Sequence, residues 1–196
     1  MAFLRIEDFD QNYKDAFDGK DFIGWELYSD IQEEKIGSIS DILVDESGHF
    51  RYFVVDLGLW IFGKTILLPV GRSRIDYQSH RVYTNGLTKD QAEHLPTYDH
   101  LETKGYDYEE QVRKVYRLPY MGEVPIRSDQ EYVMPNTSEI NSAPVLDWRD
   151  VNPDHYSYDT EPGLYRLNER DHQQLKRYEE RLIANNSLKR SHSVIR

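Results

Sequence analysis

Between Lys35 and Leu57 the chain sets β-branched and aromatic residues almost without interruption on either side of Asp45-Glu46-Ser47-Gly48. The glycine tolerates positive φ. Ile36 to Val44 therefore reads as a strand, and Phe50 to Leu57 as its antiparallel hairpin partner. Ile39, Ile42, Leu43 and Val44 on one strand, and Phe50, Tyr52, Phe53, Val54 and Val55 on the other, put apolar groups on both faces. A hairpin apolar on both sides must be covered on both sides, which points to a small closed barrel or a covered sheet.

The neighbouring sequence supplies more short strands. Thr65 to Val70 is one, and Pro69 assigns its N–H side to an edge or a bulge. Arg74 to Tyr77 and Val82 to Thr84 flank the polar turn Gln78-Ser79-His80 as a second hairpin, before Asn85-Gly86. Trp25 to Ser29 adds a strand at the front. Thr88-Lys89-Asp90-Gln91 is a capping box that opens a short helix, stopped by Pro96.

Charge and proline then divide the chain. Residues 1–100 carry 18 acids and 10 bases, residues 101–165 carry 13 and 6, and residues 166–196 reverse the sign with 4 acids and 8 bases. Six of the eight prolines fall in 101–165. That segment is poor in aliphatics and rich in tyrosine, and reads as irregular extended chain that wraps the barrel through its aromatics. A longer helix is expected from about Asn168 to Asn185-Asn186. Its apolar stripe of Leu167, Leu175, Tyr178, Leu182 and Ile183 is thin, so it wants a partner surface. The fold class is thus mainly β: an N-terminal extension (1–19), a small β-barrel (20–98), an irregular acidic Pro/Tyr-rich segment (99–165) and a basic helical tail (166–196).

A net charge of −11 argues against a general phosphate-binding surface, because counterion release needs clustered Lys and Arg. With no cysteine, thiolate chemistry and disulfides are excluded. The start, Met-Ala-Phe-Leu-Arg-Ile-Glu-Asp, lacks the pattern of a signal peptide. The longest apolar run, Leu57 to Gly63, is far short of the ~20 residues of a membrane span. A cytoplasmic location is the expectation.

Two motifs resemble chemistry. Gly58-Leu59-Trp60-Ile61-Phe62-Gly63-Lys64-Thr65 fits the P-loop pattern, but its bulky apolar interior and the strand that follows suit a hairpin connection. Trp60 and Phe62 near that turn form an apolar patch suited to self-association or a partner. Asp150, Asn152, Asp154 and Glu161 copy part of a calcium loop, but His155 stands where a glycine is needed and Pro153 and Pro162 interrupt it. The seven histidines show no metal-ligand spacing. Acid pairs such as Glu33-Glu34 and Glu109-Glu110 read as solvated faces, with no carboxylate marked by an apolar setting.

Lys35-Ile36-Gly37-Ser38-Ile39-Ser40-Asp41-Ile42-Leu43-Val44-Asp45-Glu46-Ser47-Gly48, followed by Arg51-Tyr52-Phe53-Val54-Val55-Asp56 and Leu67-Leu68-Pro69-Val70, resembles the PRC-barrel domain family. The likeness covers roughly residues 20–98. It implies a small β-barrel used for protein–protein contact, with no shared catalytic residue. Phe9 to Trp25 and Tyr178-Glu179-Glu180-Arg181-Leu182-Ile183-Ala184 are similar to cyanobacterial members of the akinete marker type, which implies a link to stress and dormancy.

The expectation is a non-enzymatic adaptor or scaffold that self-associates, a dimer being favoured. It has no cofactor, no metal, no nucleic-acid partner and no membrane span. Its candidate interaction surface is Trp60, Phe62, Leu175, Tyr178 and Leu182. The alternative is a ribosome-assembly or RNA-processing factor of the same class, in which the tail around Arg177, Arg181, Lys189 and Arg190 meets phosphate. An enzyme with a nucleotide or calcium site would rest on the two imperfect motifs.

Overall fold

One long strand organises the sheet because it is long enough to serve three neighbours. The computed structural model describes residues 3–18, 21–99, 105–117 and 156–193. Strand β3 (Lys35–Asp45) pairs at its start with β2 (Glu26–Ser29), at its end with β1 (Phe3–Arg5), and along its other edge with β4 (Phe50–Asp56). Strands β5 (Thr65–Pro69), β6 (Ser73–Asp76) and β7 (Arg81–Thr84) complete seven, in the order β5-β4-β3-β2-β7-β6 with β1 on β3. Pro69 lies in β5, which ends this path, as its missing N–H requires. The front strand is not peripheral: β2 sits inside the sheet and joins β7 in parallel.

Two glycines are demanded by this geometry. Gly48 closes the β3–β4 turn at φ 93°, and a Cβ there would lie 2.7 Å from the Phe9 ring. A Cβ on Gly37 would lie 2.2 Å from the Asp56 carbonyl oxygen, so only glycine lets β3 and β4 approach beside the bulge between Ile39 and Asp41. Asp45 completes the turn, its Oδ1 accepting from the amides of Ser47 and His49.

Among the described residues the helices are α1 (Ile6–Phe9), α2 (Tyr13–Ala16), α3 (Lys89–His94), α4 (Tyr106–Arg117), α5 (Pro162–Tyr165) and α6 (Gln173–Ser193). The capping box of α3 forms as expected, with Thr88 Oγ1 accepting from Gln91 N at 3.1 Å and Gln91 Oε1 accepting from Thr88 N at 2.9 Å.

Two expectations need correction. The segment after residue 100 is not irregular throughout, because α4 is a helix of 12 residues. Its buried residues, Glu109, Glu110, Val112, Arg113 and Tyr116, follow helical spacing, but three of the five are charged. The C-terminal helix begins at Gln173, since residues 168–172 form a turn in which Asn168 Oδ1 accepts from Asp171 N at 2.7 Å. It also runs through Asn185-Asn186, whose cost in a helix interior is small.

The interior is one contiguous core. It joins Ile6 and Phe17 from the N-terminal segment, both faces of β3 and β4, Val112 and Tyr116 of α4, Tyr165, and Leu175 and Leu182 of α6. Tyrosines of the later segments do pack on the barrel: Tyr165 meets Tyr52 edge-on at 5.5 Å, and Tyr116 Oη donates to the Leu67 carbonyl at 2.8 Å.

Candidate interaction surface

The β4–β5 connection projects the most exposed apolar groups. Gly58 (φ 75°) and Gly63 (φ 69°) bracket a 3-10 turn over Leu59–Ile61, and Phe62 itself takes φ 54°. The loop is nonetheless well tied. Gly63 N donates to Gly58 O at 3.0 Å, Leu57 N to Lys64 O at 2.9 Å, and Gly58 N to Asp56 Oδ1 at 2.7 Å. At its tip Leu59 is 95% and Phe62 100% exposed, while Trp60 is 39% exposed. Trp60 is held by its Nε1 donating to Ile36 O at 3.1 Å and by Lys89 Nζ stacked 4.6 Å over the ring. The loop thus spends strain and hydrogen bonds to hold two bare apolar side chains in water.

This loop is the P-loop look-alike, and here its Lys and Thr have other work. Thr65 begins β5 and bonds through its hydroxyl to the Tyr98 carbonyl, while Lys64 Nζ donates to the Glu93 carbonyl. No helix follows, so no phosphate nest forms. Of the calcium look-alike, Asp150, Asn152 and Asp154 lie outside the described residues, and Glu161 is engaged by Arg117 and Tyr156. Among the described residues no three His, Asp or Glu side chains group as metal ligands, and no helix is long and apolar enough to cross a membrane.

The other three expected surface residues are elsewhere. Leu175, Tyr178 and Leu182 are buried, with Tyr178 stacked 4.8 Å from Phe17 and 6.2 Å from Phe22. The partner that the thin stripe of α6 needs is the barrel and α2 of its own chain, so these residues offer nothing to another molecule. Arg181 is bound to Asp18 at 2.8 Å, and the side chains of Lys189 and Arg190 lie outside the described residues.

Sequence reasoning missed a buried polar cluster. Glu109 and Glu110, expected in solvent, are buried with Arg113, which is 0% exposed. Arg113 reaches Glu109 at 3.2 Å and Glu110 at 3.0 Å and stacks 4.1 Å over Tyr156. Tyr52 and Tyr158 both donate to Glu109 Oε2, at 2.9 and 3.0 Å. Burial pushes the Glu109 carboxyl above its ordinary range, against Tyr52, Arg113 and Tyr158, which favour the charged form. Burial also pushes Glu161 up, but its hydrogen bonds from Arg117 and Tyr156 prevail and hold it low. The available signal was the helical spacing 109, 112, 113, 116.

A groove of about 990 Å³ opens beside this cluster between the β3–β4 turn, α5 and α6. Two charge pairs lie within it: His49 Nδ1 is 3.4 Å from Glu179, and Lys176 pairs with Glu169. Glu179 also accepts from Phe50 N at 2.6 Å, so it fastens α6 to β4.

Comparison with known proteins adds the family. An uncharacterized protein of Deinococcus radiodurans is 44% identical over 69 residues, which cover 35% of this chain and 24% of that protein. The chain therefore spans about a quarter of that relative's length. Residues 14–91, which hold the sheet from β2 to β7 and the start of α3, match the PRC-barrel domain family.

Proposed function

We propose that the chain is a non-enzymatic protein–protein interaction module whose contact point is the β4–β5 tip. The observation that supports it is the pair Leu59 and Phe62, almost wholly exposed on a loop whose backbone is tied by hydrogen bonds and held at positive φ. A flexible loop would fold such side chains down; a tied one presents them at little further entropic cost on binding. The apolar pair with Trp60 beside it has the composition of an interface centre. A homodimer is the favoured assembly, since a two-fold contact buries the same patch twice.

The narrower likeness to cyanobacterial akinete marker proteins, with its stress and dormancy setting, belongs to the same proposal and rests on Phe9 to Trp25 and Tyr178 to Ala184. A cytoplasmic location is proposed with it. Light scattering of the full chain across a concentration series, together with a pull-down, tests the reading. Concentration-dependent mass, or a co-purified protein lost in Phe62→Ser, is expected. A monomer that retains no protein overturns it.

A further inference from the structure

The outward face of β2, β7 and β6 alternates cleanly. Leu27, Ser29, Val82, Thr84, Ser73 and Ile75 point into the core, while Glu26, Tyr28, Arg81, Tyr83, Arg74 and Asp76 point to solvent. The register sets Tyr28 opposite Tyr83, and Tyr83 opposite Arg74. The two rings lie 5.9 Å apart. Arg81 stacks 4.8 Å over Tyr28, and Arg74 stacks 4.1 Å over Tyr83.

Stacking fixes each guanidinium plane. Arg81 is also hydrogen-bonded to the Tyr83 side chain, which leaves the donor edge of Arg74 and the remaining donors of Arg81 for another group. In a chain with 35 acids, neither Arg74 nor Arg81 is within ion-pairing distance of a carboxylate among the described residues. The two acids on this face are otherwise engaged. Glu26 takes Lys35 at 2.6 Å and Tyr28 Oη at 3.0 Å, and Asp76 accepts from the amides of Gln78 and Ser79. Glu26 and Asp76 act on these arginines through space without pairing to them, so two preorganised guanidinium groups remain as receptors for carboxylate or phosphate.

We propose that this Arg–Tyr face docks an acidic segment of a partner protein through Arg74 and Arg81, with Tyr28 and Tyr83 as the floor. Charge decides for a protein over a nucleic acid. The face offers two guanidinium groups and is flanked by Glu26 and Asp76 on a chain of net charge −11, so a phosphate backbone that runs on past those two cations is repelled beyond them, whereas a short acidic segment can end there. A short acidic peptide needs only carboxylates spaced to reach two forks. The face adjoins the apolar tip, because Trp60 is bonded to the carbonyl of Ile36, next to Lys35, which holds Glu26. The inference deepens the reading of the chain as an interaction module and rests on it, yet uses different residues.

Fluorescence anisotropy of the full chain with a fluorescein-labelled hexaglutamate peptide, and separately with labelled oligothymidylate, tests it. The peptide binds more tightly than the oligonucleotide, and binding weakens as salt rises. Joint Arg74→Gln and Arg81→Gln lowers peptide affinity about tenfold or more. Joint Arg74→Lys and Arg81→Lys does not restore it, since lysine keeps the charge but not the fork. Chemical shifts of the Arg74 and Arg81 Nε–H groups in the unmodified chain provide a readout independent of how the variants fold, and move on peptide addition. No peptide binding, affinity unchanged in the glutamine variant, unmoved arginine signals, or tighter oligothymidylate binding each overturns the inference. Leu59→Ser with Phe62→Ser separates the two ideas: it reports on self-association through the tip and leaves peptide affinity unchanged.

Discussion

Among the described residues, two arginine–tyrosine clusters differ in burial and in whether carboxylates pair with the arginine. Around Arg113, tyrosines stack on the guanidinium and carboxylates of Glu109 and Glu110 close on it in the interior. Around Arg74 and Arg81, tyrosines stack in the same way at 4.1 and 4.8 Å, but the carboxylates are withheld and the face is open to solvent. Identical residue types are therefore closed on one another in the core and, in our proposal, kept for contact on the open face. What separates them is whether an acid of the same chain has already taken the fork. The buried cluster is neutralised within the chain, although Arg113 Nη2 is buried without a hydrogen-bond partner; the open one has no paired carboxylate.

The sharpest way to break this comparison is to remove the buried cation. Arg113→Met strands Glu109 and Glu110 in the core and should cost about 3–5 kcal/mol in chemical denaturation. A loss under about 1 kcal/mol would mean that the cluster does not hold α4 to the barrel. Next in size, Leu182→Ala or Leu175→Ala should cost about 2–5 kcal/mol, because both are fully buried against the barrel side of α6. Near-neutral outcomes would return these residues to the surface role that their sparse stripe suggested.

A pH effect tests how α6 is seated. His172 is buried, with Nδ1 accepting from Asn168 N at 3.2 Å and Nε2 within 3.1 Å of Ser73 Oγ, so the neutral ring fits and a protonated one does not. Burial lowers its pKa from 6.5, against Asp171 and the backbone of Ser73 and Val70, which raise it. A base lowered in the folded state contributes stability that is present above pH 6.5 and is lost as pH falls through the folded value. His172→Asn, which keeps an acceptor near Nδ1, should flatten that slope in melting temperature against pH. His49 works in the opposite sense: its hydrogen bond to Glu179 raises its pKa, against burial, so its contribution is lost as pH rises above 6.5. Smallest of all, Arg74→Gln with Arg81→Gln should leave the midpoint of chemical denaturation nearly unchanged, because both side chains lie on the solvent face of the sheet.

The barrel was legible because its signals are local. Gly48 in the turn, the two-sided apolar runs of β3 and β4, and the Thr88–Gln91 box each dictate structure within a few residues. The α4 cluster was not, because Glu109 and Glu110 look solvated until Arg113, one turn on, and Glu161 and Tyr52, far away in sequence, converge on them. The stripe of α6 was read correctly as needing a partner, but no local pattern says that Phe17 and Phe22 of the same chain supply it. At the tip, the bracketing glycines and the apolar Leu59 to Phe62 were visible; that Trp60 is anchored while Leu59 and Phe62 stand free depends on Ile36 and Lys89. Arg74 and Arg81 escaped notice because only the register of three strands puts them over Tyr83 and Tyr28.

The claim that exposed groups carry association while buried ones carry stability meets its most direct test in sedimentation equilibrium of the full chain, with and without Leu59→Ser and Phe62→Ser. The account predicts a self-associating species that falls to monomer in the double variant, with the far-ultraviolet circular dichroism of the fold unchanged because neither side chain is buried. A variant that associates as tightly as the unmodified chain would contradict it.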